Sequence, residues 1–313
     1  MTKGTVPMTR VTIRTPLPRA GWEQKEMRAV TAVLRRTRVI GRTDTTPAKG
    51  SAILWLGTAG LLFFMVPFIG TDRLGLQPDL YYLGYFTVAV AFLAFFASTH
   101  ASVLRPLWTE HLWQSILVGA AAGTALALGI FAQAATPHPE GWRYGFQVVW
   151  RGLVYGSVDA LTLYVFPAAV AFLLMRGNRQ GLSRKVAFAG VALVLSLLVT
   201  TTYHLGYSEY RDETMRYPEI GALVANLPTA LTGNPVGAVL THSTMHVAAV
   251  VHQNEGGQAH MLPPTVTTDY PSHGSSDLAA GLAAGWLLAT AGAVVLLVRR
   301  QRPTDPSAQE VAA

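Results

Sequence analysis

The sequence predicts an all-α fold: a polytopic transmembrane helix bundle of six full spans plus a broken or re-entrant helical hairpin, about eight helices in all. Three observations predict it. The windows Ser51–Gly70, Leu80–Thr99, Ser115–Ala135, Gly152–Met175, Val186–Tyr203 and Leu278–Val298 are each near the ~20 apolar residues that cross a hydrocarbon core, and none holds more than one formal charge. Half of all residues are hydrophobic, only 13% are charged, and 29 glycines are available for close helix approach. A seventh window, Glu219–His252, is nearly uncharged inside but is cut by Pro228, Gly233, Asn234, Pro235 and Gly237. Proline lacks an amide hydrogen and glycine is conformationally permissive, so this stretch cannot be one straight helix.

Residues 1–50 read as a basic cytoplasmic tail. They hold eleven Lys/Arg against three acids, which accounts for the whole net charge of +7 and leaves the remainder close to neutral. Charge concentrated beside the first span obeys the positive-inside rule and leans on anionic lipid. Nucleic-acid binding is therefore not expected. Residues 22–39 suit a short amphipathic helix, with Trp22, Met27, Val30, Val33 and Leu34 toward lipid and Lys25, Arg28, Arg35 and Arg36 toward phosphate. The first long apolar run starts near Ser51, so a cleavable signal peptide is not expected. Residues 51–298 form the transmembrane domain and 299–313 a second cytoplasmic tail.

The threading follows from basic residues in the connections. Arg105 follows the second span, Arg176, Arg179, Arg184 and Lys185 follow the fourth, and Arg299, Arg300 and Arg302 follow the last. These mark the cytoplasmic side of a cell membrane, with both termini on it. The number of crossings is then even, so the seventh window begins and ends outside. It is either a re-entrant hairpin or two short spans that raise the crossings from six to eight. Irregular backbone at that depth is tolerated only against protein or a cavity. The break Thr232-Gly233-Asn234-Pro235 is therefore an expected floor of a site.

The polar residues at depth define the candidate site: Asp159, His204, His242 and His246. His242 and His246 stand four apart on one helical face. His204 ends the fifth span, and Asp159 lies inside the fourth, with Arg151 as a counter-charge and Tyr155 as a hydrogen-bond donor within reach along the helix. Ionisable groups inside a membrane usually mark function. No cofactor is specified by the sequence, but two histidines at this spacing with a third histidine and an aspartate suit a divalent metal such as zinc. Cysteine is absent, which excludes thiolate ligands and disulfides. In HSTMH the residue after His242 is Ser243, so the H-E-x-x-H protease pattern is not met. His100, His111, His138, His252, His260 and His273 read as surface or loop residues, and the charged, tyrosine-bearing loop Gly206–Pro218 as a solvated loop or a cap.

The order of these motifs resembles the intramembrane CAAX-protease and bacteriocin-processing (CPBP, Abi) family over Arg151–His252. GSVDALTLYVFP stands at the first family signature, TTTYH at the second and HSTMH at the third. The resemblance implies about eight helices, a catalytic role for Asp159, His204, His242 and His246, and hydrolysis by an activated water. The chain departs from the pattern at Val158, where the signature has a second acid, at Thr162 and Leu163, where its arginine is expected, at Thr200, where it has phenylalanine, and at His246, where it has Asn or Asp. Three classes of function stay open: a membrane protein that binds a ligand, lipid or protein partner at an Asp/His site facing outside, a membrane-embedded hydrolase, and a transporter of a small solute or cation.

Overall fold

The computed structural model describes residues 49–135, 140–252 and 277–300, with side chains described between 50 and 295; the amphipathic helix expected in the basic segment and the C-terminal tail lie outside the described residues. Every regular element among them is helical, and the helices number eight. Helix α1 is Lys49–Pro67, continued by a π-helical stretch Phe68–Arg73; α2 is Pro78–Thr109, α3 Leu112–Phe131 and α5 Leu182–Leu205. Helix α4 runs Trp142–Leu174. Helix α6 has two segments, Arg216–Ala225 and Leu227–Thr232, followed by α7, Val236–His252, and α8, Asp277–Arg300. Six of the eight, α1 to α5 and α8, are long and apolar enough to cross a membrane.

Two helices outrun their apolar windows. Helix α2 continues to Thr109, so Arg105 sits on a helix and not in a connection. Helix α4 starts ten residues before Gly152 and carries Arg151 within it, because that arginine is neutralised by protein instead of water.

Contacts sort the helix ends into two sets. At one end, the Asn234 side-chain amide donates to the carbonyls of Trp108 and Glu110, and Arg179 donates to the Gly233 carbonyl and to Glu110. The turn between α2 and α3, the loop between α4 and α5 and the tip of the α6–α7 hairpin therefore meet there. At the other end Arg211 and the Ser208 amide donate to Asp72, Arg143 pairs with Asp277, and His252 lies 2.7 Å from the Gln133 carbonyl. The hairpin thus runs between the two ends of the bundle. Helix breaking falls where the glycine and proline expect it: α6 stops at Thr232, Gly233 takes φ +75°, and α7 opens one residue after Pro235.

Small residues set the tightest contact, between the parallel helices α3 and α7. A Cβ on Gly119 would lie 2.2 Å from the Gly237 carbonyl oxygen, and one on Gly237 only 2.0 Å from that of Ser115. Backbones this close exchange hydrogen bonds through side chains: the Gly237 amide donates to Ser115 Oγ at 2.8 Å, and Thr241 Oγ1 donates to the Gly119 carbonyl at 3.1 Å. Helix α4 lies at the centre, with 83% of its most apolar window buried. Around it the core is aromatic, with Tyr82, Tyr85, Phe86, Trp150, Phe166 and Tyr203 each almost fully enclosed.

Candidate metal centre

Helix α4 carries Asp159 on a short α-helical piece, Tyr155–Ala160, between two π-helical stretches, Val148–Val154 and Leu161–Val165. Each π turn adds a residue to the helical circuit and shifts the register of the residues beyond it, a device common at functional sites. On one side of the shift Arg151 turns to α2, where it donates to both oxygens of Asp79 at 2.8 and 3.0 Å. Asp159 turns instead to α7. Arg151 is therefore not the counter-charge of Asp159, because it already holds a bidentate partner that is itself buried. Glycine lets α7 come close: a Cβ on Gly156 would lie 2.8 Å from the Ser243 Cα.

Three of the four expected site residues converge. His242 Nε2 lies 3.1 Å from Asp159 Oδ2, and His246 Nε2 lies 3.1 Å from His242 Nε2. One donor atom from each of Asp159, His242 and His246 falls within 4.8 Å of the others, and all three residues are buried. His204 does not join them. Its Nδ1 lies 2.8 Å from the carbonyl of Thr200, one turn back on its own helix, and its ring packs edge-on against Tyr210.

The surroundings are phenolic. The Tyr85 hydroxyl donates to Asp159 Oδ1 at 2.7 Å, the place where Tyr155 was a sequence-based expectation. Tyr164 reaches to 3.4 Å from His242 Nδ1, and Tyr155 sets its ring edge against His246. From Tyr155 a run of hydroxyls leads away toward the Gly206–Pro218 loop: Tyr155 to Tyr203 at 3.1 Å, Tyr203 to Tyr207 at 2.7 Å, and Tyr207 to Tyr81 at 2.7 Å. Of these groups the sequence reading names Tyr155 and the loop that holds Tyr207, but not Tyr81, Tyr85, Tyr164, Tyr203 or Asp79. Their signal was present in DLYYLGYF, where Tyr81 and Tyr85 stand one helical turn apart on one face and Asp79 opens the same helix.

Hydrogen-bond bookkeeping at His242 does not close. A ring nitrogen has either one hydrogen or one lone pair to offer, yet His242 Nε2 faces both a carboxylate oxygen and a second ring nitrogen. If it carries hydrogen, that hydrogen serves only one neighbour. If it carries a lone pair, Asp159 must be protonated and His246 competes for the same pair. A cation between the three removes the conflict, since each donor gives it one lone pair. In a tetrahedral set with metal–nitrogen bonds of about 2.0–2.1 Å, neighbouring donors sit about 3.3 Å apart; two of the three contacts, at 3.1 Å, are close to that edge, and the third, between Asp159 and His246, is within 4.8 Å. The carboxylate is also held from behind by Tyr85, as ligating carboxylates are. His246 Nδ1 has no hydrogen-bond partner among the described residues.

Of the other histidines, His138, His260 and His273 lie outside the described residues. His111 is exposed, and His252 is half-buried at its helix end. His100 is a correction: it is buried, 4.8 Å from the Phe96 ring, because α2 continues past it and turns it toward Trp55.

A hollow of about 580 Å³ lies at the hairpin-tip end, with Thr232 and Gly233 of the break in its wall and none of the three donor residues in its lining. No family model matches the chain, and among the curated proteins and the solved structures none matches it either.

Proposed function

We propose that this chain is a multi-pass membrane protein that holds a divalent metal ion of the zinc type on Asp159, His242 and His246. The observation that carries the reading is the shared contact of His242 Nε2 with Asp159 and His246 at metal-ligand spacing. The test is elemental analysis of detergent-purified protein. A near-stoichiometric metal content that is lost in both His242→Ala and Asp159→Asn supports the assignment; metal-free protein from metal-supplemented growth, or metal unaffected by either change, overturns it. The anionic-lipid role of the basic tail and placement in the cell membrane with both termini cytoplasmic are part of the same proposal. Arg176, Arg179, Arg184 and Lys185 at the hairpin-tip end favour that end as the inner one. Reporter fusions after residues 180 and 313 should both read inside.

A hydrolase of the CAAX-protease type is the second reading. It is favoured by the 3.1 Å contact of Asp159 with His242, the matches to the first and third family signatures. A set of two histidines and one carboxylate also leaves a fourth metal position for water, as in catalytic zinc sites. The separate place of His204 weighs against it.

A further inference from the structure

The hollow at the hairpin-tip end is built by three connections that are far apart in sequence: the α2–α3 turn, the α4–α5 loop and the end of α6. Its lining is rich in donors. Arg179 spans it, stacked over Phe172 at 4.8 Å, and the carboxylate of Glu110 is already engaged by that guanidinium at 2.8 Å. Lys185, Gln114 and Gln180 also line it, and Lys185 makes no ion pair among the described residues. Thr229, 1% exposed, closes the wall from behind, and its Oγ1 has no partner among the described residues. Helices α3 and α5 both begin at this end without a side-chain cap, which adds the positive ends of two long helices.

We infer that this hollow binds a phosphate-bearing group. Two cations against one engaged carboxylate leave a net positive wall, and the side-chain amides of Gln114 and Gln180 supply further hydrogen bonds that a phosphate oxygen accepts. Such a group has two sources. Leu231 in its wall is 70% exposed, an apolar surface along which an acyl chain can lie, so the headgroup of an anionic phospholipid fits. A free phosphate monoester fits the same donors.

The two are separated on delipidated protein in detergent. Native mass spectrometry is used to titrate phosphatidylglycerol against diacylglycerol of the same chains, and calorimetry to titrate glycerol phosphate, each on the wild type and on Lys185→Glu and Gln114→Leu. Lys185 is exposed, so its change should leave the melting temperature alone. The expected result is phosphatidylglycerol retained over diacylglycerol and weakened at least about fivefold by Lys185→Glu. Glycerol phosphate binding with the same dependence on Lys185 makes a soluble phosphate the ligand. Equal retention of both lipids together with no binding of glycerol phosphate, or affinities for both phosphate compounds that neither variant changes, overturns the inference. Metal content plays no part in these readings.

Discussion

Gly119→Ala tests whether the α3–α7 contact positions the metal donors. The added Cβ would meet the Gly237 carbonyl oxygen at 2.2 Å, and that atom is backbone, which cannot swing aside. An ordinary carbon–oxygen contact is about 3.3 Å, so the two helices must separate by about 1 Å. Overpacking of this kind costs roughly 1–3 kcal/mol, against a helix-propensity gain of up to about 1 kcal/mol for replacing glycine. The net loss of about 1–2 kcal/mol should lower Tm by several degrees. Thr241, bonded to Gly119, directly precedes His242, so the displacement is passed to the donors. A metal site tolerates distance errors of only about 0.2 Å. Gly129→Ala on the same helix is the control, since nothing lies within 4 Å of its Cβ position. Thermal unfolding and metal titration of both proteins decide the matter. A Gly119→Ala protein as stable as Gly129→Ala, with wild-type metal affinity, would refute the reasoning.

Three further outcomes are expected. Tyr85→Phe removes the hydrogen bond behind Asp159 and should weaken metal affinity by about 10–100-fold with little change in helix content, measured by competition with a chelating dye; unchanged affinity would dismiss the supporting role. Arg151→Ala leaves Asp79 buried and unpaired and should cost about 3–5 kcal/mol, whereas Arg151→Met with Asp79→Leu should recover most of it; a single variant as stable as the double one would contradict the buried pair. Glu209, outside the spans, is pushed up to about 7 by burial and then by Asp72. Because the folded state holds that proton more tightly than the unfolded one, stability falls as pH rises from the ordinary carboxylate range through about 7. The carboxyl is crowded by protein on one side but keeps access to water, which screens the effect to under about 1 kcal/mol. Glu209→Gln should match the wild type near pH 5 and exceed it slightly near pH 8; an equal difference at both would remove the assignment.

Span number and the hairpin break were legible because they rest on run length and on the backbone chemistry of Gly233 and Pro235. The pairing of Asp159 with His242 and His246 was expected from the high cost of leaving such groups in lipid. Three things were not legible. Arg151 looked like the partner of Asp159 by helical spacing, and the π turns that change that spacing have no simple residue signature. Tyr85 and Asp79 were read as part of an apolar span and its leading edge, since phenols pass for hydrophobic residues in a window count. His204 was placed by depth alone, which does not say that its ring turns toward Tyr210.

The parallel pairing of α3 with α7 bears on how the molecule is assembled. Parallel neighbours cannot arise from a local hairpin, and here the hydrogen-bonded partners are 122 residues apart in the chain. The hairpin that delivers α7 has two arms of 17 residues each, about 25 Å as helix, so it is a poor span on its own. Insertion of the first five helices must therefore leave an open slot lined by Ser115, Gly119, Gly123, Gly152 and Gly156, which the hairpin fills afterwards. Until it arrives, Asp159 and Tyr85 wait without their histidines. The three donors are therefore complete only once the hairpin is made, and a lesion in that glycine slot is expected to lower the yield of folded protein.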